Sequence, residues 1–326
     1  MKAVLINEET KQLFVGNWED PVLGADDLII KVQATAINRA DVIQKYGKYP
    51  VPKGASPILG LEMAGVVEEI GENVSGWKIG DRVFSLLAGG GYAEKVSIPA
   101  KMAMKIPDNL SFEEATAIPE VFLTAYLNLF DLGNLKPADT VLIHAGASGV
   151  GTAAIQLVKA IGAISIVTVG TKEKAEACLE LGANYVINYK ELAFDEEVNI
   201  ITNGNGVNLI LDFVGASYYE KNINSISNDG RIILIATLGG NKIKDFNIAP
   251  LMFRRIQLIG STLRSLTVER KIELTEDFSK FAMPLFKNGS LKPVIDSTWS
   301  LDEVNKAHER MENNLNIGKL VLSLNK

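Results

Sequence analysis

The residues with the clearest chemical suggestion are glycines. Gly146, Gly149 and Gly151 punctuate the stretch His144-Ala145-Gly146-Ala147-Ser148-Gly149-Val150-Gly151. Before it stands the short apolar run Val141-Leu142-Ile143, and after it the alanine- and leucine-rich residues 152–158. This order reads as a buried strand, a tight turn and a helix packed on a sheet. Such a turn leaves backbone N–H groups without partners at the positive end of a helix, which is a site for a pyrophosphate. In the pattern G-x-G-x-x-G the first glycine permits the turn, the second lets phosphates approach, and the third lets helix and strand pack closely. Ser148 takes the middle position here and Gly149 follows it, so the pattern is met with one departure. A glycine pattern alone is weak evidence, and its value depends on the residues around it.

The next informative position lies about 20 residues on, where an acid binds the ribose 2′-hydroxyl in NAD enzymes of this fold. The strand 164–169 ends in Gly170-Thr171-Lys172-Glu173-Lys174, with a hydroxyl and two lysines around a lone acid. A charge-assisted hydrogen bond to a 2′-phosphate contributes roughly 1.5–3 kcal/mol, about tenfold to a hundredfold in affinity. The residues therefore favour NADPH. The alternative is a helix start with solvated lysines, in which Glu173 serves as the ribose acid.

What the chain lacks narrows the chemistry further. Its only cysteine is Cys178 and its only histidines are His144 and His308, too few for the nitrogen and sulfur ligands of a zinc site. Cys178 reads as a small buried thiol in a helix, and His144 as a satisfied histidine in a buried strand. A net charge of −6 without a basic stripe argues against nucleic acid as a partner. No apolar leader opens the chain and no run of about 18 apolar residues could span a membrane, so a soluble cytoplasmic protein is expected.

The elements that must position these residues follow from length and pattern. A chain of 326 residues, 47% hydrophobic and 22% charged, suggests about two domains with sizeable cores. Up to about Pro119 the texture is of short strands bounded by glycines: residues 27–37, 65–71, 81–85 and 92–99. Ser111-Phe112-Glu113-Glu114 is a capping box, and a helix is predicted over 119–129. Beyond residue 140, strands at 164–169, 185–187, 207–213, 231–235 and 256–260 alternate with helices. Such alternation predicts a doubly wound parallel sheet with its ligand at the carboxyl ends of the strands. A charged helix over 266–287, a second opening at 301 and a last strand at 318–323 are expected to rejoin the first unit. The expected fold class is α/β: a β-rich barrel domain, residues 1–119 and 263–326, with an inserted dinucleotide-binding domain, residues 120–262.

Several motifs, spread over essentially the whole chain, resemble the zinc-free medium-chain dehydrogenases/reductases, quinone oxidoreductase branch, zeta-crystallin included. They are Asn38-Arg39-Ala40-Asp41, Gly47-Lys48-Tyr49, Gly54-Ala55-Ser56, Ile58-Leu59-Gly60-Leu61-Glu62 and the glycine turn. Val207-Asn208-Leu209-Ile210-Leu211-Asp212, Lys221-Asn222-Ile223-Asn224 and Asn316-Ile317-Gly318-Lys319 complete them. The resemblance implies a GroES-like outer domain, a Rossmann domain and a homodimer joined through the cofactor domains. Zinc alcohol dehydrogenases of the superfamily carry Gly-His-Glu where this chain has Gly60-Leu61-Glu62, and Leu61 cannot ligate a metal. Glu62, which lies beside the metal in those relatives, is expected in a structural hydrogen bond or ion pair. Without a Lewis acid, alcohol oxidation near neutral pH loses its usual route. An electron-poor acceptor, a quinone or activated alkene, needs less help.

Carried over by position, the resemblance puts Lys174 and Tyr189 on the 2′-phosphate, with Gly170 and Thr171 making room. It puts Gly146, Ser148, Gly149, Val150 and Gly151 on the pyrophosphate. Ile235, Leu238, Gly239, Gly240, Leu263 and Arg264 would border the nicotinamide end, and Asn316 would close over the cofactor. Asn38, Asp41 and Tyr49 would face the acceptor in a cleft between the two domains. There Tyr49 is a wall residue or a proton donor, and Asp41 a catalytic group or an ordinary helix-start acid. The function implied is NADPH-dependent, zinc-independent reduction of quinones. Enoyl or alkenal/one reduction, and a crystallin-like NADPH-binding protein without catalysis, are the alternatives.

Overall fold

Short β-branched strands without polar alternation suit a sheet covered on both faces, and residues 140–260 build one. In a computed structural model that describes residues 1–325, six strands lie parallel. Their order is Tyr185–Asn188, Ile164–Val169, Thr140–Ile143, Val207–Asp212, Ile226–Leu234 and Gln257–Gly260. The sequence of pairings reverses beside Thr140–Ile143, the strand that feeds the glycine turn. Reversal of this kind is where doubly wound sheets open a crevice for a ligand. Leu142, Ile166, Phe194, Val198, Ile210 and Ile232 form its core.

This sheet belongs to one of two compact units, Thr124–Leu263. The other joins Met1–Leu123 to the segment that begins at Arg264. Its seven-stranded sheet runs Ile295–Ser300, Lys319–Ser323, Asp27–Ile37, Glu62–Ile70, Arg82–Leu86 and Met104–Lys105, with Lys95–Pro99 also on Asp27–Ile37. The 11-residue strand Asp27–Ile37 is long enough to pair antiparallel with three others. Its far end receives the chain's last strand, Leu320 opposite Ile37. Leu28, Ile30, Val32, Met63, Val67 and Val83 fill the interior. The fold is the expected α/β combination of a GroES-like domain and a Rossmann-like parallel sheet.

Local differences have local causes. The helix predicted to reach residue 129 is α-helical only over Pro119–Tyr126 and continues as a π-turn over Leu127–Asp131. Within it the Asn128 side chain donates to the Thr124 carbonyl at 2.7 Å, and Leu132 N–H reaches back five residues to Leu127. The strand expected to begin at Arg231 starts at Ile226, with a bulge that passes through Asp229 at φ 62°. The hairpin Lys2–Ile6 with Leu13–Asn17 and the helices Arg39–Lys45 and Ala249–Phe253 are additional.

The glycine turn is held by contact rather than by flexibility alone. A Cβ at Gly151 would lie 2.4 Å from the Ala145 carbonyl oxygen, and one at Gly146 would lie 2.8 Å from Val167 Cβ. Gly151→Ala should therefore cost about 1–3 kcal/mol through forced backbone movement. Urea unfolding followed by circular dichroism measures this, and an unchanged midpoint at equal slope would contradict the packing.

Candidate active site

In the Rossmann-like unit, Ser148 caps the helix Gly149–Ala160, its hydroxyl accepting from Gly151 N–H at 3.1 Å. Ser148, Gly149 and Val150 are half-buried, so the helix start remains open to a ligand. The next strand end is equally specific. A Cβ at Gly170 would stand 2.8 Å from Tyr189 Oη and 3.3 Å from Lys190 Cε, the tips of two exposed side chains that gather at this corner. Thr171 caps the helix Lys172–Leu181 by accepting from Lys174 N–H at 3.3 Å. The Glu173 carboxylate is held below its usual range by its own backbone N–H and the Thr171 hydroxyl, which ties it to the helix start. Lys174 lies one turn before Cys178, whose buried thiol is pushed up to about 12. Burial is the cause, and the thiol is inert.

The loop after Ile226–Leu234 is pinned to the loop after Val207–Asp212. Ile235 N–H donates to the Asp212 carbonyl at 2.8 Å, Gly239 N–H to Val214 at 2.7 Å, and Ala216 N–H to Gly240 at 2.9 Å. Leu238 is left exposed at the tip, and Leu263, the last residue of the unit, is buried. Beneath these loops lies a buried polar chain. Asp212 accepts from Val214 and Gly215 N–H and from Asn222 Nδ2 at 3.1 Å; Asn222 Oδ1 faces His144 Nε2 at 2.8 Å; His144 Nδ1 faces Thr168 Oγ1 at 3.0 Å. Since the Asn222 amide nitrogen is spent on Asp212, His144 donates from Nε2 and accepts at Nδ1. Burial keeps the ring neutral. His144 is structural, as its strand position suggested. The open helix start, the glycine corner and the pinned loops together fit a phosphorylated dinucleotide.

The other unit is organised around a buried carboxylate. Glu62 is inaccessible to solvent and forms an ion pair with Lys319 at 2.7 Å. Asn38 Nδ2 donates to the same oxygen at 2.7 Å, and Glu120 N–H donates to the other at 2.8 Å. Lys319 Nζ also donates to the Ile37 carbonyl and to Asn38 Oδ1, so all three of its hydrogens are used. The Asp41 carboxylate is equally occupied. It accepts from Asn38 N–H at 2.8 Å, Gly60 N–H at 2.9 Å and the Tyr92 hydroxyl at 3.3 Å. Burial nevertheless pushes its carboxyl up to about 6. Tyr92 meets His308 Nε2 at 3.2 Å, and burial with the nearby Lys45 charge lowers His308 to about 3. Asn38 and Asp41 thus serve the local fold through every polar atom named here.

Tyr49 is different. It is half-buried, and the Arg264 guanidinium sits over its ring at 5.1 Å from the centroid. Burial first, then the charge of Glu120, raises the phenol, which stays protonated at neutral pH. Arg264 donates through Nε and Nη2 to the Ala88 carbonyl, and Lys271 Nζ donates to the Arg264 carbonyl at 2.7 Å. Nη1 of Arg264 is buried without a partner. Asn316 turns its amide onto the Gly318 carbonyl at 2.8 Å. A cavity of about 440 Å³ is lined by Trp18, Ser56, Ala88, Lys95, Met102 and Lys271, and by none of Asn38, Asp41 or Tyr49.

Comparison with known proteins agrees with this geometry. A zinc-binding dehydrogenase family model matches residues 149–288, and an alcohol dehydrogenase GroES-like domain model matches residues 24–108. The quinone oxidoreductase of Homo sapiens is 32% identical over 313 residues, 93% of this chain and 91% of its own length. The synaptic vesicle membrane protein VAT-1 homolog of Danio rerio is 32% identical over 316 residues, 93% of this chain; the chain spans only 65% of that relative. Among solved structures, Escherichia coli quinone oxidoreductase complexed with NADPH gives a TM-score of 0.88 at 29% identity, covering 99% of this chain and 100% of that one. JamJ enoyl reductase gives 0.87 at 27% identity, covering 99% and 98%. The chain belongs to the medium-chain dehydrogenase/reductase superfamily, in its quinone oxidoreductase branch.

One matching family description names zinc, and the donors of this member bear on it. Leu61 is a buried apolar side chain, Glu62 is saturated by Lys319, Asn38 and Glu120, and His308 is turned to Tyr92. Among the described residues, no group of three or more His, Cys, Asp or Glu side chains is placed to hold a metal ion. Three residues of this centre escaped sequence reasoning as functional positions: Lys319, Lys271 and Glu120. A buried lysine and a carboxyl at a helix start have no local signature. The nearest signals were Pro119 before Glu120 and the Gly318-Lys319 pair.

Removing one partner of a buried ion pair is more costly than replacing both. Lys319→Met should destabilise the chain by about 3–5 kcal/mol, and adding Glu62→Gln should recover part of it. Chemical denaturation of the two variants checks this; equal losses would show the pair to be uncoupled.

Proposed function

We propose that this superfamily member is an NADPH-dependent, zinc-independent reductase of quinones. The observation that carries this reading is at Gly60-Leu61-Glu62. Both Glu62 oxygens are consumed within the fold and Leu61 offers no ligand, so no Lewis acid is available there to activate an alcohol. An acceptor already poor in electrons suits such a site. The Escherichia coli quinone oxidoreductase structure, complexed with NADPH, supports both the cofactor and the acceptor class.

The bound cofactor supplies a hydride from nicotinamide C4. The chain's part is positioning and exclusion of water. The N–H groups of Gly149 and Val150 receive the pyrophosphate at the helix start that Ser148 caps through Gly151 N–H, while Gly146 and Gly151 keep the turn tight. Lys174 and Tyr189 receive the 2′-phosphate beside the strand end, with Gly170 and Thr171 making room. Ile235, Leu238, Gly239 and Gly240 border the nicotinamide. Leu263 and the backbone of Arg264 continue that border, and Asn316 lies over the cofactor. Tyr49, braced by Arg264, forms the wall against which the acceptor lies. Asn38 and Asp41 would face the acceptor from the same unit, their polar atoms held by Lys319, Glu62, Gly60 and Tyr92.

A second reading, reduction of enones by an enoyl or alkenal/one reductase, is favoured by the likeness to JamJ enoyl reductase. Turnover of enones far above quinones would select it. Among the described residues no helix is long and apolar enough to cross a membrane. A cytoplasmic setting belongs to this proposal. So does a homodimer, since the edge strand Gln257–Gly260 is exposed, with Leu258, Met252 and Phe253 beside it. Unpaired edges of this kind invite a second copy.

Lys174→Ala should weaken NADPH binding by about tenfold to a hundredfold and leave NADH nearly unchanged. Fluorescence titration of each cofactor measures the ratio; equal losses would mean that Lys174 does not read the phosphate. Tyr49→Phe separates wall from acid. A wall residue leaves kcat unchanged, whereas a required proton donor lowers it about a hundredfold or more.

A further inference from the structure

The buried group that the positioning scheme leaves unused is Glu120. It is the second residue of the helix Pro119–Tyr126, where its backbone N–H is fixed on Glu62. Its side chain is not tied down. The residue is half-buried, and no hydrogen bond reaches its carboxyl among the described residues. Asp41, by contrast, takes two backbone N–H groups and a phenol. The Glu120 carboxyl is recessed close enough to Tyr49 for its charge to bear on the phenol. Arg264 stands over that same ring with Nη1 unpaired.

We propose that Glu120 is the proton-donating residue of the acceptor site, beside Tyr49 and Arg264. The inference rests on the quinone reductase reading above. Hydride transfer brings two electrons and one proton to the quinone, leaving a negative charge on one of its oxygens. The Glu120 carboxylic acid gives that oxygen its proton, yielding the hydroquinone and a Glu120 carboxylate. Solvent reprotonates the carboxylate before the next turnover.

The surroundings of Glu120 keep the proton in place at neutral pH. Burial pushes its carboxyl up to about 8, and the neighbouring Glu62 and Asp41 carboxylates act in the same direction. Lys319 and Arg264 act against them. Lys271, on the helix Val268–Lys287, also faces this group, and burial holds its amine below the usual lysine range. A general acid is most effective when its pKa lies near the working pH. The sign of the linkage follows. An acid raised from 4.5 to about 8 on folding makes a contribution to stability that is complete below pH 4.5 and lost as pH rises through about 8.

The test uses the full chain with NADPH and a 1,4-quinone. For the wild type, kcat should fall as pH rises through about 8; Glu120→Gln should lower kcat at pH 7 about a hundredfold or more and abolish that limb. Without cofactor, difference infrared spectroscopy should show a protonated carboxylic acid that is lost as pH rises through about 8 and absent in Glu120→Gln. A flat wild-type profile, an unchanged kcat in Glu120→Gln, or a carboxyl already ionised at pH 6 would overturn the inference while leaving quinone reduction intact. A wild type that oxidises no NADPH with any quinone would overturn both, and is recognised by the missing turnover.

Discussion

Everything in the outer unit leans on one ion pair. Lys319 and Glu62 come from opposite ends of the sequence and meet at 2.7 Å without access to water. Desolvating two charges costs several kcal/mol per ion and is recovered only when every remaining lone pair and proton finds a partner. Here they do. The ammonium gives its other hydrogens to Ile37 and Asn38, and the carboxylate takes Asn38 and the N–H of Glu120. The result is a joint rather than a patch. It fixes the last strand against Asp27–Ile37, the start of the helix Pro119–Tyr126, and the turn before Glu62–Ile70. Those are the elements that carry Asn38, Asp41 and Glu120.

The same saturation bears on the chemistry. In zinc relatives the residue before this glutamate is a metal ligand; here Leu61 packs into the interior and the glutamate serves a lysine instead. Lys319 places a fixed positive charge against this carboxylate. That charge sits on a side chain whose protons are all in use, so it cannot polarise a substrate directly. Polar groups with spare capacity lie a short way off, at Arg264 Nη1 and the Glu120 carboxyl. Structural and chemical duties are thus divided between two sets of residues.

How much of this was legible depended on whether the signal was local. The glycine turn and the strand at 164–169 were read to the residue, because periodicity and glycine placement act over a few positions. The parallel sheet followed from alternation. The neutral structural roles of His144 and Cys178 were readable from their apolar strand and helix. Less was visible at Pro119–Tyr126, where a single asparagine side chain turned the helix into a π-turn. The partner of Glu62 was readable only as a kind of contact, a hydrogen bond or an ion pair. Its identity, 257 positions away in Lys319, depends on how the tail strand pairs, which no window of sequence contains. Asp41 looked equally suited to catalysis or to a helix start, and only its three hydrogen bonds weigh toward the second.

The contrast between Asp41 and Glu120 shows how one unit separates two carboxyls by environment. Both are recessed and both feel Glu62 and Lys319. Asp41 receives backbone N–H groups, which favour the charged form, and stays near 6; Glu120 receives none and rises to about 8. Pairs of acids pushed apart in this way divide into an anchor and a proton carrier. The division has a further consequence for the acceptor. A second full negative charge at Glu120 would crowd the region around Glu62, so a neutral Glu120 lets an acceptor become anionic beside Arg264 without two like charges facing each other. Quinones acquire negative charge on oxygen as they are reduced, so under the proposed reaction a neutral Glu120 spares the reduced form one facing charge.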